Sequence, residues 1–494
     1  MVSIGGENLK TDELKKLIDK DRISQSKSKA RQGLQYYKGE HEILNYRLFY
    51  YDSNRVLKED KYRSNIKIPH LYHTELVDQK VQYLLSNPVE VITEDEILQE
   101  RLQEYINEDF QELLQNAIEG ASNKGIEYVY AYVDQDNKIN FQVTDSLSVI
   151  PLYDELDHYK LKAIVRYYDT KIQDQNKEVT ITKAEVWTNK DVTYYIQDKD
   201  SKEFKLDGGI NPNPRPHMTF ENEKAYYDGG SFGYIPFFCL ENNKYRKTDL
   251  EPIKALIDDY DLMACSLSNN LQDFQEAIYV VKGYPGDNLD ELTMNLKTKK
   301  TIGLDGDPSS GIDVKTIDIP HEARRIKLDL DKESIYKFGM GFDSSQIGDG
   351  NVTNVVIKSR YALLDLKCNK IEIRLRKLIR QLLKCIIDDI NRRYKTAYNY
   401  MDIDINIIRE TMVNENDVYS NEKIEAETKG QLINNILTAA SRLDDDTVLK
   451  CLCDILELDY EEIKEKLELQ PYDPIDLNKL SDDLLKEKLG GTNE

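Results

Sequence analysis

Cysteine, histidine and tryptophan are scarce in this chain of 494 residues, which contains six, six and one of them, respectively. The six cysteines form no CxxC pair, so we expect buried, reduced thiols and not disulfides or zinc ligands. The histidines are scattered without an HExxH motif, and His70 and His73, three positions apart, are interpreted as capping or surface residues. The sequence therefore predicts neither a metal site nor a cofactor.

Long apolar runs and catalytic motifs are also missing. No stretch of about eighteen apolar residues is present to span a bilayer, and the N-terminus lacks the apolar core of a signal peptide. We therefore expect no membrane contact and a cytosolic site of synthesis. There is no Walker A loop or GxSxG motif, and the glycine spacing 339, 341, 348 and 350 fits neither a dinucleotide loop nor a kinase loop. We predict no catalytic residue and no enzymatic activity.

Acidic charge, in contrast, is abundant. Asp and Glu number 90 against 67 Lys and Arg, which gives a formal net charge of −23. A protein that grips DNA by neutralising phosphates is basic at least locally, so tight non-specific binding over the whole surface is not expected. An acidic surface suits a duct through which DNA slides, and it equally suits a protein that never meets DNA. Charge leaves both interpretations open.

The apolar pattern predicts an α+β arrangement in the first half of the chain. One helical segment is predicted to end at Gly39, and another to end at Asn87-Pro88. From Ile126 the apolar period changes to two, and the DQDNK turn predicts a β-hairpin. Further strands rich in Tyr, Val and Ile follow. We expect an α+β domain packed against N-terminal helices.

Between residues 248 and 394 the pattern predicts a helix, a strand-and-turn insert, a second helix, a glycine-punctuated loop and a helix of about forty residues. The first helix is predicted to begin at Thr248, which has Glu251 at capping-box spacing, and to expose Asp258, Asp259 and Asp261. After Met401, two acidic helices separated by an LDDD turn are expected. Apolar stripes predict the packed faces of the first and the long helix. They are Ile253, Leu256 or Ile257, Tyr260, Ala264, Leu267, Leu271 and Phe274 in the first, and Ile371, Leu375, Ile379, Leu382, Ile386 and Ile390 in the long one.

This order of elements, with the signatures YYKGEHEIL, LVDQKVQYLLSNPVEV, DLEPIKALIDDYD and YALLDLKCNK, resembles the SPP1-type portal proteins of tailed bacteriophages from about Tyr36 to Tyr394. The resemblance implies a predominantly helical α+β protomer that assembles into a ring. It implies an N-terminal helical part plus β-rich wing (1–247), a first stem helix (248–275), a clip (276–320), a second stem helix (321–338), a tunnel loop (339–353), a long wing helix (354–400), and a helical crown with a C-terminal tail (401–494).

The glycine-punctuated loop coincides with the tunnel loop of that family, which points into the central channel. Its glycines permit hinge rotation, and its short polar side chains permit weak, repeated phosphate contacts. An exposed connector between two helices is the alternative. The tunnel-loop residues implied are Gly341, Asp343, Ser344, Ser345, Gln346, Gly348, Asp349 and Gly350.

Three groups of basic residues have more than one interpretation. The second stem helix lines the channel in the resembled family, and its basic residues otherwise face water. The clip lysines either meet an acidic partner or entering DNA, or form a solvated edge that discourages strand aggregation. The long helix carries twelve Lys or Arg against four Asp or Glu between Asn354 and Lys395. Its basic residues face packaged DNA or, as we favour, pair with neighbouring subunits. The residues are Arg324, Arg325, Lys327 and Lys332 in the second stem helix, Lys297, Lys299 and Lys300 in the clip, and Lys367, Lys370, Arg374, Arg376, Lys377 and Arg380 in the long helix.

The resemblance implies a head-to-tail connector. About twelve copies would form a ring at one capsid vertex, contact scaffolding and major capsid proteins, and dock the large terminase subunit, which hydrolyses ATP. Double-stranded DNA would pass through the ring, and head-completion or tail-adaptor proteins would bind later. The expected location is the virion, with assembly in the host cytoplasm. A metal-dependent phage nuclease or other DNA-processing enzyme, and a tail or baseplate protein, are the alternatives. Neither explains the order of helix, insert, helix, loop and long helix.

Overall fold

Helices and antiparallel sheets are combined in this chain, which confirms the α+β class. It divides into two compact units, residues 1–350 with 358–411, and residues 351–357 with 412–494. None of the helices in the described part has the length and apolarity that crossing a bilayer requires. The computed structural model describes residues 2–4, 7–9, 11–52, 54–61, 63–134, 137–157, 160–174, 177–199, 201–221, 227–273, 278–282, 311–315, 320–343, 354–409, 415–456, 458–461 and 463–464.

The elements are numbered in chain order. The helices are α1 (Thr11–Arg22), α2 (Gln25–Tyr37), α3 (Tyr72–Leu84), α4 (Glu96–Gln103), α5 (Glu108–Lys124), α6 (Lys254–Asp273), α7 (His321–Gly339), α8 (Asn354–Tyr394), α9 (Glu415–Ala439) and α10 (Asp445–Leu456). The strands are β1 (Val2–Ile4), β2 (Glu7–Leu9), β3 (Phe49–Tyr51), β4 (Leu57–Glu59), β5 (Glu90–Ile92), β6 (Ile126–Val133), β7 (Ile139–Thr144), β8 (Val149–Tyr153), β9 (Leu161–Asp174), β10 (Lys177–Trp187), β11 (Asp191–Gln197), β12 (Phe204–Leu206), β13 (Arg215–Pro216), β14 (Met218–Glu221), β15 (Tyr227–Gly230), β16 (Phe237–Glu241), β17 (Ile278–Lys282), β18 (Gly311–Lys315) and β19 (Asp404–Asn406).

The N-terminal helical segment consists of two helices, α1 and α2. The prediction of one helical segment as far as Gly39 was therefore wrong, because a break separates the two helices near Ser24. Ser24 is the N-cap of α2. Its backbone is extended, and its side chain accepts a hydrogen bond from the Lys27 amide at 3.3 Å. A serine in this position satisfies an amide that the first turn of a helix leaves unpaired. The second helix ends before Gly39, whose φ of +76° lies in the left-handed region.

A large antiparallel sheet occupies the middle of the first unit, in the order β12-β11-β10-β9-β8, with β13 paired to β11. Successive side chains of β9 point to opposite faces. Val165 packs with Leu14 and Ile18 of α1 in one core, whereas Ile164 packs with Phe237 of β16 in another. Apolar side chains therefore cover both faces, as expected for an α+β domain against the N-terminal helices. The predicted hairpin is β6–β7.

The helix predicted from Thr248 begins six residues later, at Lys254. Thr248 and Glu251 do form the reciprocal capping-box hydrogen bonds, at 3.1 and 3.3 Å. The Leu250 carbonyl, however, accepts from both the Ile253 and Lys254 amides. A tight turn therefore precedes the regular helix.

The predicted long helix is α8, with 41 residues. All six residues of its predicted stripe are buried, at 1% exposure or less. The predicted apolar stripe of α6 is confirmed near the start of the helix, where Ile257 is fully buried. It is wrong near the end, where Leu271 is 50% exposed. In the second unit, α9 and α10 are the two helices predicted after Met401, and Cys453 of α10 is buried.

Candidate functional site

The α6–α7 pair combines an apolar core with charged side chains at its margin. Ile257 of α6 and Ile335 of α7 are fully buried in one cluster. Lys327 of α7 lies 2.6 Å from Asp259 of α6 and also pairs with Asp331 on its own helix. Partly exposed ion pairs contribute at most about 1 kcal/mol each, so the buried isoleucines dominate the packing of the two helices.

Three tyrosines join α3 to this pair. The ring of Tyr72 packs edge-to-face on Tyr260 and Tyr336, with centroids 5.0 and 5.8 Å apart. The Tyr336 hydroxyl donates a hydrogen bond to Glu75 at 2.8 Å. Burial, with this hydrogen bond, raises the pKa of Tyr336, so the phenol stays a neutral donor. Edge-to-face pairs contribute about 1 kcal/mol beyond their buried area, so α3 is firmly attached to α7.

The chain leaves α7 in a fixed conformation. Met340 ends the helix with a φ of +56°. A Cβ at Gly341 would come within 2.2 Å of the Leu76 Cδ2 atom and 2.8 Å of the Gln79 Oε1 atom, both of α3, so no larger residue fits unless these side chains move. Gln79 of α3 then accepts from the Phe342 amide at 3.2 Å and donates to the Phe342 carbonyl at 2.8 Å. Residues 341–342, the base of the following loop, are therefore fixed to α3.

A buried charge cluster lies next to this loop base. Lys80 of α3, which is 1% exposed, donates to Asp249 at 2.9 Å and to two other side-chain oxygens. Lys367 of α8 lies 3.1 Å from the same carboxylate and donates to the carbonyl of Gly339, the last residue of α7, at 2.9 Å. Asp249 thus connects α3 and α8 directly, and the end of α7 through Lys367.

The charges of this cluster compensate one another. Burial lowers the pKa of Lys80. Burial alone would raise the pKa of Asp249, but the ammonium groups of Lys367 and Lys80 outweigh it and hold that pKa well below its usual range. A carboxylate between two lysines stays ionised, and removing it would leave buried positive charge uncompensated.

Residues 64–70 form an extended strap along α6. Every second backbone amide of the strap donates to the side chain of every fourth residue of α6. Two extended residues span about 6.6 Å and four helical residues about 6 Å, so the two repeats match. The pairs are Ser64 with Asp273 (3.0 Å), Ile66 with Asn269 (2.7 Å), Ile68 with Cys265 (3.3 Å) and His70 with Asp261 (2.9 Å).

Asp261 was predicted at the surface, and that prediction was wrong. The residue is fully buried and accepts from the rings of His41 and His70, at 2.7 Å each. Burial would raise the pKa of Asp261, but these hydrogen bonds hold it below its usual range. The surface interpretation was also wrong for His73, which is fully buried 3.0 Å from Asn123, and burial lowers the pKa of His73 to about 4. Nowhere in the described part of the chain are three His, Cys, Asp or Glu side chains placed to hold a metal ion.

The four basic residues predicted on α7 lie in different environments. Lys327 and Arg324 both contact α6, where the Arg324 guanidinium lies beside the Asn270 side chain, and its N–H donors assign the Asn270 oxygen to that side. Lys332 lies 2.8 Å from Asp343 at the start of the loop. The side chain of Arg325 is 72% exposed and pairs at 3.3 Å with Glu322 of the same helix, which is itself 63% exposed. Arg325 is therefore the most accessible of the four basic residues.

Two of the predicted loop residues, Gly341 and Asp343, belong to the part of the chain that the structure describes. Gly341 is closely packed against Leu76, and this contact explains why a glycine occupies the position. Hinge rotation remains a hypothesis for Gly348 and Gly350. Asp343 contacts Lys332. Outside the described residues lie Ser344, Ser345, Gln346, Gly348, Asp349 and Gly350 of the loop, and Lys297, Lys299 and Lys300 of the clip.

Four of the six basic residues predicted on α8 hydrogen-bond within their own chain, and one of them, Arg374, donates to the Lys370 carbonyl of the same helix at 2.8 Å. Lys367 is part of the buried cluster. Arg376 donates to the Ile405 carbonyl and Arg380 to the Ile403 carbonyl, both at 2.6 Å. These guanidinium groups fix the segment that follows α8. Neither DNA nor a neighbouring subunit is needed to explain them.

Sequence reasoning missed Lys80, although a signal was present. Lys80 lies three residues after Val77 and four before Leu84, on the apolar face of α3. A lysine in that position is rarely buried without a partner, so it indicates a hidden carboxylate. No comparable signal marks Leu76 or Gln79, because their partners follow more than 260 residues later.

Comparison with known proteins identifies the family of this chain. The profile of a family described as phage portal protein, SPP1 Gp6-like, matches residues 17–468. The chain is similar to the portal protein of Bacillus phage SPP1, with 32% identity over 347 residues, which are 70% of this chain and 66%, just under two thirds, of that protein. It is also similar to the portal protein of Clostridium phage phiCD119, with 29% identity over 373 aligned residues, 70% of this chain and 78% of that protein. The chain therefore belongs to the SPP1 Gp6-like family of phage portal proteins.

Proposed function

We propose that this protein forms the ring at one capsid vertex through which double-stranded DNA is packaged and later ejected. Family membership supports this, and the observation that carries it is the fixed base of the loop after α7. Contacts from α3 and α8 determine where that loop leaves the helix pair. In this proposal α6 and α7 are the stem, residues 276–320 the clip, residues 339–353 the tunnel loop, α8 the long wing helix, and α9 and α10 part of the crown.

The distribution of charge suits a channel in which DNA slides. A net charge of −23 repels phosphates, and few exposed cations on α7 then supply weak, local attraction. Arg325, repeated around about twelve subunits, would form one tier of positive charge. Lys327 and Lys332 also pair with carboxylates, and their side chains are only 39% and 32% exposed, so they would contribute less to that tier than the more exposed Arg325.

The proposed role is structural and mechanical, and ATP hydrolysis belongs to the large terminase subunit. The other proposed partners are scaffolding and major capsid proteins during assembly, and head-completion or tail-adaptor proteins afterwards. The protein would assemble in the host cytoplasm and remain in the virion. A closed ring requires a head-to-tail contact between two different surfaces of the subunit.

Electron microscopy and native mass measurement of the purified protein test this proposal. We expect rings of about twelve subunits with an axial hole wide enough for a duplex. A species that stays monomeric or dimeric at high concentration and with scaffolding protein would contradict it. Incubating the same preparation with DNA and Mg²⁺ or Mn²⁺ tests the competing nuclease hypothesis, which predicts cleavage that a chelator abolishes.

A further inference from the structure

A hairpin near the N-terminus exposes an unusual amount of apolar surface. β3 and β4 pair antiparallel, and every residue of both strands is exposed. The exposed fractions of Phe49, Tyr51 and Leu57 are 56%, 71% and 53%. Within the described part of the chain, nine exposed large apolar residues fall between positions 44 and 71. Monomeric proteins rarely leave so much apolar surface uncovered in one region, so a partner is expected here.

The hairpin has a fixed position despite this exposure. An isolated two-stranded hairpin is at best marginally stable in water. Here the strap fixes it to α6 through Ser64 and Asp273, and Asn65 and Lys67 of the same segment donate to backbone carbonyls at positions 46 and 44. The hairpin is therefore a preorganised arm at the C-terminal end of α6, and binding it costs little ordering entropy.

A complementary surface lies on α7. Ile326 and Leu330, one turn apart, are each 55% exposed. The exposed charged residues of α7 are three acidic ones, Glu322, Asp329 and Glu333, and two basic ones, Arg325 and Lys337. The arm and its flanks, residues 46–67, carry six Lys or Arg against three Asp or Glu, in a chain with a net charge of −23. Both apolar surfaces are exposed in the same chain, so they do not cover each other. The exposed charged residues of α7 sum to a net charge of −1, three acidic against two basic, which is opposite in sign to the net charge of the arm.

We propose that the β3–β4 hairpin is an intersubunit arm that docks on the exposed face of α7 in an adjacent copy, with Tyr51 and Leu57 packed on Ile326 and Leu330. This rests on the proposed ring. A hairpin on one side of the subunit and a helix face on another form a heterologous contact, and such a contact closes into a ring when the rotation between copies permits it.

Photo-crosslinking in assembled rings tests the contact directly. Tyr51 is replaced by p-benzoylphenylalanine in the full chain, and the products are mapped by mass spectrometry. We expect a crosslink between position 51 and an α7 peptide of a second copy. The same residue placed at Leu156, which is 97% exposed, is the matched control and should give no α7 product. Rings without an intermolecular product, or a product outside α7, would overturn the proposed arm.

A substitution measures what the contact contributes. Tyr51→Ser combined with Leu57→Ser should raise the protein concentration needed for ring formation about ten-fold or more, because lost burial of one large apolar side chain weakens a contact by roughly one order of magnitude. Leu156→Ser should leave that concentration unchanged. Thermal melts show whether both variants are folded. If the double variant does not fold, the crosslinking experiment alone tests the proposed arm. If the wild-type protein forms no rings, the proposed function fails. If the folded double variant forms rings at the same protein concentration as the wild type, only the proposed arm is overturned.

Discussion

Lys80 of α3 and Asp249, five residues before α6, form an ion pair at 2.9 Å in which the lysine side chain is almost completely buried. The two partners are not equivalent. Asp249 also faces Lys367, so it compensates two positive charges, whereas Lys80 is one of two cations that stabilise a single carboxylate. A buried charge that loses its partner destabilises a protein by more than the intact pair stabilises it.

We therefore predict that Asp249→Asn lowers the free energy of unfolding by about 3–5 kcal/mol. Lys80→Met should have a smaller effect, because Asp249 keeps Lys367. Denaturant unfolding of both variants measures the difference. Glu178→Gln is the control, since its pair with Lys171 is 60–68% exposed and should contribute less than about 1 kcal/mol. An Asp249→Asn variant as stable as the control would show that the cluster has no energetic role.

The close contact between Gly341 and Leu76 leads to a second prediction. Gly341→Ala should destabilise the protein by about 1–3 kcal/mol, because the added methyl group overpacks the loop base. The penalty should shrink in a Leu76→Ala background, where the nearest colliding methyl group is gone, and the part that persists is due to the Gln79 Oε1 atom, which the new Cβ would approach within 2.8 Å. Gly208→Ala is the matched control, since a Cβ there meets nothing within 4 Å. Equal penalties in the two backgrounds would show that Leu76 is not the cause.

The sequence was sufficient for elements set by local periodicity and insufficient for long-range polar contacts. The stripe of α8 was predicted correctly because Ile371 and its successors repeat at helical spacing. Asp261 was misplaced because its partners His41 and His70 come about 200 residues earlier, and no local spacing marks them. The capping-box pair Thr248 and Glu251 was recognised, but the turn that delays the helix depends on hydrogen bonds that the spacing does not encode.

His73 should make stability depend on pH between about 6.5 and 4. Burial lowers the pKa of His73 from 6.5 to about 4. The unfolded chain then binds the proton more tightly than the folded chain. The part of the folding stability that depends on neutral His73 is therefore fully present above pH 6.5 and is lost as the pH falls through the folded-state pKa. The shift corresponds to about 3 kcal/mol. Free energies of unfolding measured across this range should fall less steeply for His73→Leu than for the wild type. His321→Gln, in a side chain 76% exposed, should keep the wild-type slope, and a His73→Leu slope equal to the wild type would exclude His73 as the cause.

The match between the strap and α6 can be tested at one hydrogen bond, between Ile66 and Asn269. Asn269→Leu keeps the size of the side chain and removes the oxygen that accepts from the Ile66 amide at 2.7 Å. Loss of one such hydrogen bond is worth about 1 kcal/mol, so the Ile66 amide should exchange with deuterium roughly five-fold faster. Ser268→Ala, one position earlier on α6, should leave that rate unchanged. Because Ser64 and Ile68 bind separate residues of α6, their amides should stay protected unless the strap opens as one unit. Faster exchange across residues 64–70 would indicate such cooperative opening, and unchanged exchange at Ile66 would show that Asn269 does not secure the strap.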